Sequence, residues 1–221
     1  PDSGGLHTLL LIGEAGIGKS KVVGTVRQQL EESGGLMIMA RILPEATLAL
    51  APALARALES SEVAQSLLRQ EIEATLGEVI AMLRRLSRLR PMLVVVEDTH
   101  LLEGEGVRQL GLLLGGLADE TLTILCSTRP SANSTSRLLE QYPFQQIDLR
   151  GLLPSEVTEL WTLLFGIPPE PAIAATLAGR TAGNPLALRS GLRGAVTAGL
   201  ITQTAGSGHY VLDSDKAMFT A

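Results

Sequence analysis

The eight residues GEAGIGKS, Gly13 to Ser20, constrain the fold of this chain more than any other stretch. They fit the pattern G-x-x-x-x-G-K-[ST] without a mismatch, and that pattern needs a strand before it and a helix after it. Both flanks comply. LHTLLLI, Leu6 to Ile12, is a short apolar run closed by glycine, which predicts a buried strand. Val22, Val23, Val26 and Leu30 then recur on one helical face until Ser33-Gly34-Gly35 ends the helix. A strand of this kind finds its neighbours through crossover helices, so the rest of the chain should alternate strand and helix.

It does so as far as Leu149. LMIMARIL, from Leu36, predicts a second strand, and the Ala- and Leu-rich stretch from about Ala46 to Leu68 predicts a helix. Ile72, Leu76, Val79, Leu83 and Leu86 continue at helical spacing until Pro91. MLVVV, Met92 to Val96, is a β-branched run, followed by a helix from about Gly106 to Leu117. TLTILCS, Thr121 to Ser127, and FQQIDL, Phe144 to Leu149, are the remaining strand candidates. The predicted class is α/β with a mostly parallel sheet covered on both faces over residues 1–149. LLPSEVTELWTLLF, AIAATLAGR and PLALRSGLRGAVTAG then predict a small helical domain over 150–199. Residues 200–221 read as a hairpin, LITQT and HYVLD flanking Gly206-Ser207-Gly208.

The chemistry of the glycine loop follows from its residue types. Glycines let the backbone curl so that successive N–H groups converge on phosphate oxygens, and the new helix adds its free N–H groups and positive end. Gly13, Glu14, Ala15, Gly16, Ile17, Gly18, Lys19 and Ser20, with Lys21 in the first turn, are the candidate nucleotide-binding residues. Lys19 would reach the β- and γ-phosphates and the Ser20 hydroxyl would ligate Mg²⁺. VVVEDTH supplies carboxylates at the tip of a buried strand, where ligands collect in parallel sheets. Glu97 and Asp98 can divide the labour, one toward Mg²⁺ and one toward an attacking water; residue order does not say which. His100 either joins this site or faces solvent in the turn. Arg129, in Thr128-Arg129-Pro130 at the next strand end, is placed to sense or stabilise a γ-phosphate. Gly183-Asn184-Pro185 is an N-cap followed by proline at the first helical position, with Pro185 also able to pack against a base.

Charge and composition narrow the partners. A net charge of −5 argues against a nucleic-acid grip by this segment. Arg84, Arg85, Arg88 and Arg90 form a basic cluster, but helical spacing puts them on a solvated face. The single cysteine, Cys126, excludes an internal disulfide framework and fits a reducing, cytoplasmic setting; it is expected to be an inert core residue. No run is apolar and long enough to span a membrane. Trp161 is expected in the helical domain's core, and His209 on an exposed hairpin. With Pro1 lying so close to the first strand and no element closing the hairpin, the chain reads as a piece of a longer polypeptide.

Taken in order, GEAGIGKS, VVVEDTH, CSTRP, IDLRGLLPSEVTELW and GNPLAL resemble the STAND class of P-loop NTPases. More narrowly, they resemble the ATPase modules of LuxR-type transcriptional regulators and of related multidomain adenylate cyclases and kinases. The resemblance implies a P-loop core, a helical domain and a winged-helix domain, of which residues 200–221 would be the beginning. It makes Glu97 and Asp98 a Walker B pair, with Ser20 as the other metal residue, Arg129 a γ-phosphate sensor and Pro185 an adenine contact. Glu97 stands where members often carry aspartate, and Leu101 where tryptophan is usual. The implied function is a slowly hydrolysing ATP switch, with ATP/ADP and Mg²⁺ as ligands and nucleotide-dependent self-association. The alternatives are an AAA-type oligomeric motor, a hydrolysis-deficient ATP-binding scaffold and, less in keeping with the motifs, a P-loop kinase.

Overall fold

The computed structural model describes residues 5–44, 50–68, 75–130, 141–199, 201–203 and 210–212. The described residues divide into two compact units, one within Pro1–Glu14 and Lys19–Asp148, the other within Ala15–Gly18 and Leu149–Ala221.

The first unit is built on a five-stranded sheet in the order β2-β3-β4-β1-β5. Its strands are β1 (His7–Ile12), β2 (Leu36–Arg41), β3 (Met92–Glu97), β4 (Thr123–Thr128) and β5 (Gln145–Asp148). Every pairing is parallel, so the C-terminal ends line up along one edge. All six residues of β3 are buried, as expected of a strand covered on both faces. The short β5 lies exposed at one margin of the sheet, and β2 forms the other.

Helices α1 (Lys19–Glu32), α2 (Leu50–Glu59), α3 (Glu62–Leu68), α4 (Leu76–Ser87) and α5 (Glu105–Gly116) accompany these strands. The core joins Leu10 and Ile12, Ile38 and Ala40, and Val94 and Val96 to Leu54, Leu83 and Leu110. Helix α4 has the predicted apolar face and stops before Pro91; its Thr75 cap accepts from the Glu78 N–H. Ile72 and Ala46 lie outside the described residues.

Two details differ from the sequence reading. Residues 50–68 form two helices, because the chain breaks at Ser60-Ser61 and Ser61 Oγ accepts the Ala64 N–H as a new cap. Val22 is 37% exposed and Val23 alone among the four predicted positions of α1 is buried, so that helix packs through a narrower stripe. Two of the clustered arginines, Arg88 and Arg84, pair with Glu120, at 2.6 and 3.9 Å. Cys126 is fully buried, which pushes its thiol up to about 12 and leaves it unreactive.

The second unit holds α6 (Pro154–Phe165), α7 (Pro171–Thr181) and α8 (Pro185–Thr197). Trp161 is buried there among Val157, Leu177, Leu188 and Leu192, and its ring lies 4.7 Å from that of Phe165. Each of these helices begins with a proline in its first turn, where the missing N–H costs nothing. Strands β6 (Ile201–Gln203) and β7 (Tyr210–Leu212) pair antiparallel, while Gly206-Ser207-Gly208 and His209 lie outside the described residues. No helix among the described residues is long and apolar enough to cross a membrane.

The start of α6 carries a titratable cap. The Glu156 carboxylate accepts the Leu153 N–H at 2.7 Å and a forked pair from Arg150 at 2.7 and 3.0 Å. Those partners, Arg150 first, hold Glu156 down to about 2 from its ordinary 4.5. A depressed carboxylate stabilises the fold above its unfolded pKa and ceases to do so as pH falls toward its folded one. Glu156→Gln should therefore lower the melting temperature at neutral pH, and the gap to wild type should close as pH falls from 4.5 toward 2. Thermal melts across that range check this.

Candidate functional site

The aligned strand ends set out the chemistry in a row. From one margin inward they present Arg41 on β2, Glu97 and Asp98 on β3, and Thr128-Arg129 on β4, then Gly13 on β1. Strands lie about 4.8 Å apart, so the β1 and β3 ends are separated by roughly 10 Å. The first turn of α1 spans that gap. Ser20 Oγ donates to Glu97 Oε1 at 3.1 Å, which ties the glycine loop's helix to the acidic strand tip.

The loop has the backbone its glycines allow. Gly16 and Gly18 adopt φ of 79° and 115°, which side-chain-bearing residues rarely reach. Gly13 N–H donates to Thr128 O at 3.2 Å, and Lys19 Nζ to the carbonyls of Gly13 and Glu14 at 2.6 and 3.0 Å. Burial lowers the Lys19 pKa; Asp98 opposes this most strongly and Arg129 adds to it. Lys21 follows as an exposed residue of the same turn.

Glu97 closes β3 and is only 5% exposed. A carboxylate that deep must be paired, and both of its oxygens are engaged. Ser20 takes Oε1, and Arg41 takes Oε2 through Nε at 3.1 Å and its terminal nitrogen at 3.0 Å. Arg41 Nε also lies 3.6 Å from Asp98 Oδ2. Sequence reading missed Arg41. Its signal was a cation ending the apolar run LMIMAR, and the parallel register that sets it opposite Glu97 is a tertiary fact.

Asp98 leaves the strand in the left-handed region, at φ 60° and ψ 38°. Aspartate tolerates that region better than most residues. Its N–H donates to Ser127 Oγ at 3.3 Å, while Thr99 Oγ1 donates to Ser127 O at 3.0 Å. His100 follows in a single 3-10 turn, with its side chain 14% exposed, so it is not a solvent-facing residue. Its Nδ1 is 4.0 Å from Asp98 Oδ1, buried and without a hydrogen-bond partner. Burial lowers its pKa, Asp98 opposes that, and Arg129 and Lys19 reinforce it. Arg129 is exposed just past β4, close enough for its charge to act on both Lys19 and His100.

A serine hydroxyl beside two carboxylates is a hard-oxygen set that fits Mg²⁺, which commonly uses one or two carboxylates and completes its shell with phosphate and water. Among the described residues no group of three or more His, Cys, Asp or Glu side chains could hold a metal without such help.

In the second unit, Asn184 caps α8, its Oδ1 accepting from Leu186 and Ala187 N–H at 3.0 and 3.3 Å. Its Nδ2 donates to Ala15 O at 2.8 Å, and Leu186 N–H to Gly16 O at 3.3 Å. A Cβ on Gly16 would overlap Leu186. Ile17 belongs to this same loop segment, and Pro185 occupies the first position of α8. Gly183, at φ 65°, lies against the Leu152 backbone so closely that no side chain fits.

The family model of the AAA ATPase domain matches residues 1–125, more than half of the chain. The chain belongs to the AAA ATPase domain family. Among solved structures, this AAA ATPase domain resembles the Aeropyrum pernix ORC1 protein in complex with DNA, at 20% identity and a TM-score of 0.58. That match covers 87% of this chain and 54% of that one. It also resembles a lysine-to-arginine mutant of Thermotoga maritima RuvB, at 18% identity and a TM-score of 0.51, over 87% of this chain and 56% of that one. At such identities the likeness shows the P-loop α/β fold, and the chain spans about half the length of each. No curated protein matches it.

The Arg41–Glu97 pair should be energetically coupled. The exposed arginine limits the gain, and the buried glutamate raises the cost of losing its partner. In a double-mutant cycle of Arg41→Ala and Glu97→Gln, urea unfolding should give a coupling of about 1 kcal/mol. Additivity of the two changes would mean that Arg41 does not hold Glu97.

Proposed function

We propose that this AAA ATPase domain is the ATP-binding, slowly hydrolysing switch module of a larger regulator of the STAND, LuxR-like kind. The observation that carries the proposal is the meeting of Ser20 and Glu97 at 3.1 Å beside Lys19. It brings the phosphate-loop hydroxyl onto the strand-tip acid, the arrangement a Mg²⁺-nucleotide requires. The ordered motifs Thr128-Arg129 and Gly183-Asn184-Pro185 favour the STAND reading over a generic ATPase.

In this reading the loop amides and Lys19 hold the β- and γ-phosphates of ATP, and Ser20 with Glu97 provides the metal's protein side. Ser20 and Glu97 would hold Mg²⁺ there, and its charge would offset that of the phosphates. Asp98 is the more exposed of the two acids, 27% against 7% for the Glu97 side chain, and takes the attacking water. Arg129 answers the γ-phosphate, and Pro185 of the 150–199 helical domain meets adenine. The regulator would work in the cytoplasm. Loss of the γ-phosphate removes Arg129's partner, so ATP and ADP favour different states by their differential affinity. ATP would favour self-association. Direct nucleic-acid binding by this segment is not part of the proposal, in keeping with its net charge of −5.

Lys19→Ala should abolish binding of a fluorescent ATP analogue and any ATP-dependent self-association seen by sedimentation. Unchanged ATP affinity in that variant would overturn the site. Arg129→Ala should erode the preference for ATP over ADP while ADP affinity is kept. Equal loss of both nucleotides, measured by calorimetry, would make Arg129 structural. Wild-type turnover should be slow; fast turnover that rises with ring assembly would favour the motor alternative.

A further inference from the structure

We propose that the outer margin of β2 is a docking site for an extended, acidic peptide segment of a partner protein, which adds to the sheet as a further strand. The inference is independent of the nucleotide reading. Leu36 N–H bonds Pro91 O and Ile42 N–H bonds Glu97 O, at 2.8 and 3.0 Å, across to β3 and its flank. Residues of like parity point the same way along a parallel strand, so Leu36, Ile38, Ala40 and Ile42 face β3. Met37, Met39 and Arg41 therefore direct their N–H and C=O groups outward. Among the described residues no backbone hydrogen bond meets those outward groups.

The two margins of the sheet are finished differently. At β5 the margin is only four residues long and exposed throughout, and so short an edge discourages pairing. At β2 it is six residues long and lies along a groove of about 560 Å³ between α1 and the α2–α3 segment. Met39, Leu43 and Val63 stand 38%, 44% and 41% exposed on that groove, which is apolar surface an added strand would cover. At about 3.3 Å per residue, six residues of β2 offer roughly 20 Å of pairing length.

Charge chooses the occupant. The groove is lined by Arg27, Arg41 and Arg56 against the single acid Glu31, opposite in sign to the chain's net −5. Arg27 shares an exposed pair with Glu31 and Arg41 is held by Glu97, whereas Arg56 has no ion pair among the described residues. Ala53 and Ala57 beside it leave room for a side chain reaching Arg56. A strand alternating apolar and acidic residues satisfies the backbone edge, the apolar wall and this cation together. Backbone pairing would supply affinity and Arg56 the sign preference.

The test uses the full chain and three capped hexapeptides: alternating valine and glutamate, alternating valine and lysine, and the glutamate peptide with alternate amide nitrogens methylated. Fluorescence anisotropy should show saturable binding of the first below about 1 mM, and at least about tenfold weaker binding of the other two. Arg56→Glu should weaken the glutamate peptide by a similar factor, with nucleotide affinity unchanged. Met39→Pro removes one outward donor and should do the same; should it not fold, as judged by circular dichroism, the methylated peptide tests the same contact. Equal binding of the lysine peptide, indifference to methylation, or no binding of the glutamate peptide would overturn the proposal. So would preferential binding of a single-stranded oligothymidylate, or a concentration-dependent dimer abolished by Arg56→Glu, which would give the margin to a nucleic acid or to a second copy.

Discussion

Parallel strands cannot be closed by tight turns, and the first unit is organised by that constraint. Each strand must be left at one end of the sheet and re-entered from the other, so the residues that follow the strands collect along a single margin. Gly13, Glu97, Arg129 and Arg41 come from segments far apart in sequence and share that margin only because all five strands run one way. The margin is also where backbone groups lose their strand partners, which makes it the natural place for a phosphate to be bound by amides and a helix start.

Within that row the buried carboxylate of Glu97 is the element most tightly determined. It sits at the end of a strand buried along its whole length, where an unpaired charge would be intolerable. Ser20 and Arg41 satisfy it from opposite sides. The same two bonds fix the first turn of α1 and the end of β2 relative to β3, so packing of the unit and shaping of the site are served by one group. Asp98, in a left-handed turn whose N–H donates to Ser127 Oγ, meets the same Arg41 only at 3.6 Å and is less buried. Adjacent acids thus acquire different surroundings without any difference in charge.

The candidate site was legible in sequence to the extent that its residues lie in local patterns. The glycine loop, the acids after MLVVV and the capped start of α8 are short-range features: turn sterics, a strand end and an N-cap each involve a few consecutive residues. Arg41 was not legible, since its role depends on a register between strands some fifty residues apart. The break at Ser60-Ser61 was missed because alanine and leucine carry the helical pattern through it, and the serine cap is a subtle competitor. His100 could not be decided locally either; its burial depends on what packs around the turn after β3.

What the sequence by itself determined was the kind of element at each place and the chemistry each could carry. Hydrophobic period, glycine and proline positions act over one or two turns of chain, and so the α/β alternation up to Leu149, the helical run beyond it and the phosphate loop follow from them. The tertiary structure alone decided the strand order, which of the two acids is buried more deeply, and which strands stand at the margins of the sheet. Those outcomes depend on pairing energies between distant segments and on the cost of burying charge. Neither quantity is a property of any short stretch of the chain.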